Sequence, residues 1–397
     1  MVHSHSGGSS EYLDARGGAR VPVVFMSHLS GQRHLVHKSR VAQNLFKYWG
    51  AEAWKFHPES VTVGRDKEGN WCSYKARHLA RAGKWCIVKP VAGACGNGIE
   101  LARFESHEHL ARWLHRNFPT HRTVIVQKYL GKPFLLDGRK FDIRVYLNII
   151  HPPQDETESH SPENRQERPA HNHFTWLPPM QGEGPTLLGR FAPGYVRVSA
   201  SKYKPPKHST TVATSSRGTH ITNFHVQRDH PDYDPETDSV GDVEVRMSFD
   251  DFLSAVEDSG VSTKQQIMSR MNRILSDSVM ATRHLLDSAL GHFCLLGVDF
   301  LMDSKANLWL LEFTRGPALR NSPDWLASLH EQVLHELLDG VLDASAAKDP
   351  QSAFDALEQA SVEQDKPRVW YSLTRLARLQ GLSIGRAVET LLPSDDK

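Results

Sequence analysis

Two acids stand where acids are costly. Asp299 lies inside the apolar run FCLLGVDFLM and Glu312 inside LWLLEF, and the Asp303–Asn307 segment between the runs has the composition of a tight turn. A carboxylate buried in a strand needs a partner. Two of them brought together across a hairpin can hold Mg²⁺, which takes oxygen ligands and bridges nucleotide phosphates; the alternative is a pair of rim acids at strand ends. A second charged set lies in VIVQKYLGKPFLLDGRKFDIRVYLN, Val124 to Asn148. Its latter half alternates, with Phe141, Ile143, Val145 and Leu147 on one face and Lys140, Asp142, Arg144 and Tyr146 on the other. That pattern fits an edge strand with its polar face in water, or a strand lining a cleft that holds anions. A third set begins at Lys89-Pro90 and runs into a loop with Gly93, Gly96 and Gly98, whose backbone could approach a phosphate closely. It lacks the Gly-Lys-Ser/Thr ending of a P-loop and leads into a strand-like segment, so a flexible hairpin tip explains it equally well. Arg197 falls in a further strand-like segment, GYVRVSASKY.

The elements that must position these residues follow from periodicity and punctuation. Val21–Met26 reads as a first strand and Lys38–Trp49 as a helix with Val41, Leu45 and Trp49 on its inner face. His57–Gly64 turns into a short strand, and Trp85–Val88 is another. Ser106 caps a helix with Leu110, Trp113, Leu114 and Phe118 inside. Pro152–Thr186, rich in Pro, Glu, His, Asn and Gln, reads as a mobile insertion between strands, and His171 and His173 within it read as surface histidines. Ser248 with Asp251, and Thr263 with Gln266, have cap spacing; the second opens a long helix predicted through Leu285. Ser322-Pro323 has the character of an N-cap followed by a first helical residue. From Ala344 the chain reads as a helical appendage. Leu373–Leu379, Gly381, Ser383 and Ile384–Leu392 have the outline of a helix–turn–helix, a pattern that an ordinary helical hairpin shares.

The totals narrow the function classes. The 397 residues are 39% hydrophobic and 23% charged, the composition of a soluble globular protein with room for two or three domains. A formal net charge of +1 gives no general drive toward nucleic acid or an anionic membrane. No apolar run approaches the roughly 20 residues that a bilayer crossing needs, and MVHSHSGGSSEY has no hydrophobic signal core. Four scattered cysteines suit buried thiols in a reducing compartment. A cytoplasmic protein without membrane or nucleic-acid partners is the expectation.

Taken in order, WCIVKPVAGACGNGIEL, VIVQKYLGKPFLLDGRKFDIRVYL, the GYVR segment ending at Arg197, HITN and GVDFLMDSKANLWLLEF resemble the tubulin–tyrosine ligase-like family of ATP-grasp ligases. The resemblance runs from about Lys38 to Leu338. It implies an α+β fold with antiparallel sheet lobes that hold a nucleotide between them. The divisions then expected are a disordered arm over 1–20, an N-terminal lobe over 21–88, an ATP-grasp core over 89–342 containing the insertion, and the appendage over 343–397. By matching position, Lys89 and Lys140 would neutralise the phosphates of ATP. Gln127, Lys128, Tyr129 and Leu130 would form the hinge beside adenine, with backbone groups of Lys128 and Leu130 reading its edge. Asp142, Thr222 and Asn223 would complete the nucleotide site, Asp299 and Glu312 would hold Mg²⁺ with Thr314 as a weak or water-mediated third contact, and Arg144 and Arg197 would meet the acceptor carboxylate or the γ-phosphate. The activity implied is ATP-dependent joining of an amino acid to a protein or peptide, tubulin or another, in the cytoplasm or on the cytoskeleton. The alternative is a weak or inactive relative that binds nucleotide and acts as an interaction protein. One departure favours it: the family's Glu-x-Asn is here Glu312-Phe313-Thr314, which replaces an amide carbonyl with a hydroxyl on a shorter arm. The insertion and a short N-terminal region also set this chain apart from the tubulin enzyme.

Overall fold

Among the described residues the strands form three antiparallel sheets, two that build the site, one smaller and one larger, and a minor one of β8 (Tyr233–Asp234), β9 (Ser239–Val240) and β10 (Val243–Glu244). In the computed structural model, which describes residues 27–81, 84–91, 96–150, 175–177, 187–206, 217–231, 233–240, 242–286, 292–319 and 323–346, the smaller sheet is built from β1 (Ser60–Gly64), β2 (Trp85–Pro90), β3 (Glu100–Arg103) and β4 (Thr123–Lys128), in the order β1–β4–β2–β3. Val63, Val88, Val124 and Val126 on one of its faces pack against Leu110, Trp113 and Leu114 of α3 (His107–Asn117). Ser106 caps that helix as the sequence predicts, its side chain accepting from the His109 amide. The opposite face presents Ile87, Lys89 and Gln127 to a cleft.

The larger sheet contains β5 (Arg139–Ile150), β6 (Thr175–Leu177), β7 (Leu188–Lys202), β11 (Arg246–Ser248), β12 (Phe293–Met302) and β13 (Leu308–Arg315). Its order is β11–β7–β5–β12–β13, with β6 also beside β7. The charged strand β5 is therefore an interior strand and the edge-strand alternative fails. Its apolar face joins a core completed by α2 (Lys38–Trp49), α6 (Phe249–Asp258) and α7 (Lys264–Met280). At one end of the opposite face α8 (Asp324–Ala346) covers the sheet, where Leu326 and Val333 pack on Tyr146 and Tyr195, and the Tyr146 hydroxyl lies 2.6 Å from Nε2 of the buried His330. The rest of that face, with Lys140, Asp142, Arg197 and Asp299, lines the floor of the cleft.

The structure departs from the sequence reading at several boundaries. The division expected at 88/89 cuts through β2; the small sheet spans residues from β1 to β4, and α2 packs with the large sheet. The helix that starts from the Thr263–Gln266 capping box stops at Met280, and Leu285 belongs to a separate 3₁₀ turn. The Thr282 amide bonds to Val279 and its hydroxyl to Ser278 and Val279, which tightens and ends the last turn. Pro323 immediately precedes α8 and its carbonyl accepts from Leu326 and Ala327, so it stands at the cap position. That helix runs through Ala346, past the expected start of the appendage. Within the expected insertion, Thr175–Leu177 forms a strand paired with β7. The remainder of 152–186, Val21–Met26 and the helix–turn–helix outline lie outside the described residues.

Candidate active site

Asp299 and Glu312 meet because β13 carries one extra residue. Along β12, Val298, Phe300 and Met302 enter the core, which turns Asp299 and Leu301 to the cleft. Along β13, Leu308 and Leu310 enter the core, and strict alternation would send Glu312 after them. The register instead pairs Phe300 with Leu310 and Asp299 with Glu312, leaving Leu311 without an opposite number. This bulge reverses the alternation. Phe313 takes the core position and Glu312 joins Asp299 in the cleft. A second bulge acts on β7. Arg144 pairs with Tyr195 and Val145 with Pro193, so Gly194 is the extra residue and Arg197 emerges on the cleft face. A side chain at Gly194 would collide with the Arg144 carbonyl.

Two arginines and two aspartates form a buried relay across the floor. Arg144 grips both carboxylate oxygens of Asp299, through Nε at 2.5 Å and a terminal nitrogen at 3.1 Å. Arg197 bridges the two acids, with Nε 2.6 Å from Asp142 and a terminal nitrogen 2.8 Å from Asp299. The Thr222 hydroxyl donates to the other oxygen of Asp142. Gly297 makes room for this grip, since a Cβ there would lie 2.8 Å from the Arg144 guanidinium and 3.1 Å from Pro317. Burial pushes the Asp299 carboxyl up, but Arg144 and Arg197 outweigh it and hold the group well below the carboxylate range. At Asp142 burial dominates, and with the nearby Asp299 charge it raises the carboxyl despite Arg197. Such bidentate and bridging contacts fix these side chains in place.

Two lysines stand over this floor from different sheets. Lys89 comes from β2 and Lys140 from β5, and both are buried. Lys140 donates to the His220 carbonyl at 2.8 Å and lies 4.8 Å above the Tyr129 ring. Burial lowers its pKa to about 7, against the opposing pull of Asp142 and with help from Lys89. Burial also lowers Lys89, Glu312 and Asp299 opposing and Lys38 adding to the fall. The site thus holds two cations at a cost that an anion would relieve.

The hinge closes the other end. Gln127 donates to Ser60 at 2.8 Å and Tyr129 follows β4 with its amide on the Trp85 carbonyl. The Lys128 amide donates to the Glu59 carbonyl at 2.8 Å. The Tyr129 hydroxyl lies 2.9 Å from Nδ1 of His220 and 3.4 Å from the Tyr203 hydroxyl, which donates to the Gly131 carbonyl. Burial and the Lys140 charge lower His220 to about 4, so its ring is neutral at neutral pH. Asn223 lines the cleft and caps α5 (Phe224–Arg228), accepting from the His225 amide at 3.1 Å.

The cleft is open to solvent at its mouth. The structure brings Lys89, Gln127, Lys128, Tyr129, Leu130, Lys140, Asp142, Arg197, Thr222, Asn223, Asp299 and Glu312 to its walls. Two expected residues are not on them. Arg144 lies behind Asp299 with its guanidinium engaged there, and Thr314 sits opposite Gly297, one step beyond Glu312 on the same face. The sequence reading missed Lys38, which opens α2 and reaches Glu312 at 3.4 Å. It also missed the apolar walls, Ile87 above and Leu301 and Leu311 below, which look like core residues to any periodicity argument. Among the described residues no three His, Cys, Asp or Glu side chains gather to hold a metal by themselves. Two carboxylates side by side nevertheless fit Mg²⁺, which is commonly held by one or two carboxylates plus substrate phosphates and water. Asp299 Oδ1 carries a single arginine contact, and the Glu312 side chain is 25% exposed to the cleft mouth.

Two antiparallel sheets thus meet at a cleft that gathers two buried lysines and two neighbouring carboxylates. Residues 20–152 and 191–350 match the family model described as the tubulin-tyrosine ligase family, and the chain belongs to that family. It is 23% identical over 325 residues to human tubulin monoglutamylase TTLL4, covering 79% of this chain and 23% of that protein. It is 30% identical over 271 residues to the human inactive polyglycylase TTLL10, covering 65% and 34%, and 27% identical over 259 residues to the probable tubulin polyglutamylase ttll-9 of Caenorhabditis elegans, covering 65% and 51%. The chain thus spans between about a quarter and a half of the length of these relatives. Among the described residues no helix is long and apolar enough to cross a membrane.

Proposed function

We propose that the cleft is an ATP-grasp active site that activates a carboxylate with ATP and joins it to the amine of an amino acid. The observation that carries this reading is the convergence of Lys89 from the small sheet with Lys140, Asp299 and Glu312 from the large one, in a chain of this family. The base would lie between Ile87 and Leu301, beside the hinge at Tyr129 and Leu130. Its phosphates would extend toward Lys89 and Lys140, whose charges they stabilise. Asp299 and Glu312 would hold Mg²⁺, which neutralises phosphate charge as it develops. Arg144 and Arg197 fix Asp299, and Arg197, which reaches the cleft, also faces the γ-phosphate or the acceptor. Asp142, itself held by the Thr222 hydroxyl, holds Arg197 in turn.

The chemistry needs no side-chain nucleophile. An acceptor carboxylate oxygen attacks the γ-phosphorus, the bond to ADP breaks, and an acylphosphate forms. The amine then attacks the acyl carbon, phosphate leaves, the amine loses a proton and an amide results. The protein contributes by gathering three anionic groups among fixed cations and by excluding water from them. A protein or peptide is the acceptor in this reading, and tubulin is the leading candidate because relatives carry tubulin in their names. A cytoskeletal location follows from that acceptor. A second reading, a nucleotide-binding relative without ligation, is favoured by Thr314 alone. The two separate on Mg²⁺-dependent ATP binding and ADP release. An active ligase binds and turns over ATP, with both lost in Glu312→Gln; a binding relative binds without turnover. Failure of the wild-type protein to bind ATP at all would sink both.

A further inference from the structure

Asn223 is followed by a residue whose ring rests on a buried cation. Phe224 opens α5, and the Arg246 guanidinium lies 4.5 Å from its centroid. Tyr233 meets the same ring edge-on at 6.0 Å. Arg246 is only 7% exposed and is ion-paired with buried Asp238, whose other oxygen accepts from the Tyr233 hydroxyl at 2.8 Å. Asp238 keeps a backbone φ of +52°, a region unusual for a residue with a side chain, and its carbonyl accepts from Val245 at 3.0 Å. This aspartate is held in place on every side.

The position of Arg246 explains why such a partner is needed. It pairs directly with Arg197 across β11 and β7, so the two guanidinium side chains leave the same face of the sheet. Like charges directly opposite are destabilising. Asp238 gives Arg246 its own counter-charge and leaves Asp142 to Arg197 and Thr222. Arg246 is thereby free to offer its flat face to Phe224, and a desolvated guanidinium over an aromatic ring is among the stronger cation–π contacts. Phe224 is joined through one peptide bond to Asn223, next to Thr222, and both of these line the cleft.

We propose that Asp238, Arg246 and Phe224 form a positioning unit that sets nucleotide affinity by holding the Thr222–Asn223 wall in place, although none of the three lines the cleft. This rests on the reading of the cleft as an ATP site. An ion pair that merely stabilises the fold would lower the melting temperature without a selective effect on nucleotide.

The test uses the full chain, a fluorescent ATP analogue with Mg²⁺, and thermal melts of each variant. Phe224→Leu removes the ring and leaves the Arg246–Asp238 pair intact; Phe224→Tyr keeps the ring; Arg246→Lys keeps the charge and loses the planar face. The expected result is a rise in Kd of about ten-fold for Phe224→Leu and for Arg246→Lys, the effect of losing one such contact, with Phe224→Tyr close to wild type. With turnover, the KM for ATP rises and kcat at saturating ATP changes little. The proposal is overturned if folded Phe224→Leu binds the analogue like wild type. Equal damage in Phe224→Tyr and Phe224→Leu, or a fall in kcat at constant KM, overturns it too. If Arg246→Lys does not fold, the two Phe224 variants decide alone. A wild-type protein that does not bind the analogue removes the ATP reading and this inference with it, whereas wild-type binding with unaffected variants removes the inference only.

Discussion

Binding of ATP should draw a proton into the cleft. Lys140 is buried with a pKa of about 7. At about pH 8 such a group holds about a tenth of a proton, whereas with a triphosphate beside it the pKa returns toward the ordinary value near 10.4 and the group is fully charged. The complex should therefore take up about nine tenths of a proton per nucleotide at about pH 8 and about half at about pH 7. A phosphate with a second pKa of about 6 is already ionised at the higher pH, so the proton goes to the protein. The sign follows: the bound form keeps a proton that the free form sheds above pH 7, so affinity should weaken by up to ten-fold, about 1.4 kcal/mol, per pH unit in that range. The assay is titration calorimetry of Mg²⁺–ATP in two buffers of contrasting ionisation enthalpy, where the slope gives the protons taken up. Lys140→Arg, which cannot lose its charge, should remove most of the uptake and leave only what Lys89 contributes. No buffer dependence in the wild type, or an undiminished one in Lys140→Arg, would refute the reasoning.

Other outcomes follow from the same geometry. Lys140→Ala and Glu312→Gln should each reduce ligation on the order of a hundred- to a thousand-fold, roughly 3–4 kcal/mol of lost charge stabilisation, with the melting temperature little changed; wild-type turnover in either would show the site to be elsewhere. Gly297→Ala should cost about 1–3 kcal/mol by overpacking against Arg144 and Pro317, read by denaturant unfolding, and should weaken Mg²⁺-dependent binding because Asp299 loses its clamp. Thr314→Asn should tighten Mg²⁺–ATP binding if position 314 reaches the metal, and Thr314→Val should weaken it slightly; unchanged affinity in both would remove Thr314 from the metal site. Excising 152–172 while keeping Thr175–Leu177 should leave the melting temperature nearly unchanged, since that stretch is poor in aliphatic residues and closure entropy depends weakly on loop length; a large fall would show that it packs.

The alternation of Lys140, Asp142 and Arg144 against Phe141, Ile143 and Val145 was legible because β5 keeps its period of two over that stretch. Its interior place in the sheet was not, since pairing partners are distant in the chain. The bulges at Leu311 and Gly194 were invisible for a related reason. A bulge is a difference in count between two strands, and neither strand alone reveals it. Strict alternation from Leu308 would have buried Glu312. The small sheet was misdivided because its strands interleave with the glycine-rich connection and α3, so a cut placed at the Lys89 motif fell inside β2. Lys38 shows the same limit from the other side: its helix reads as an amphipathic support, and only the packing of α2 beside β13 brings its head to Glu312. Short-range signals fared better, as in the Thr263–Gln266 capping box, because both partners lie within one turn.

The central claim is that this cleft couples ATP to formation of an amide. The most direct measurement incubates the protein with Mg²⁺–ATP, the twenty amino acids and candidate acceptors including tubulin, and follows acceptor intact mass together with ADP. The account predicts an acceptor that gains the mass of whole amino-acid residues with one ADP released per residue, and loss of both signals in Glu312→Gln. ADP release without any gain in acceptor mass, or a gain that persists in Glu312→Gln, would contradict it.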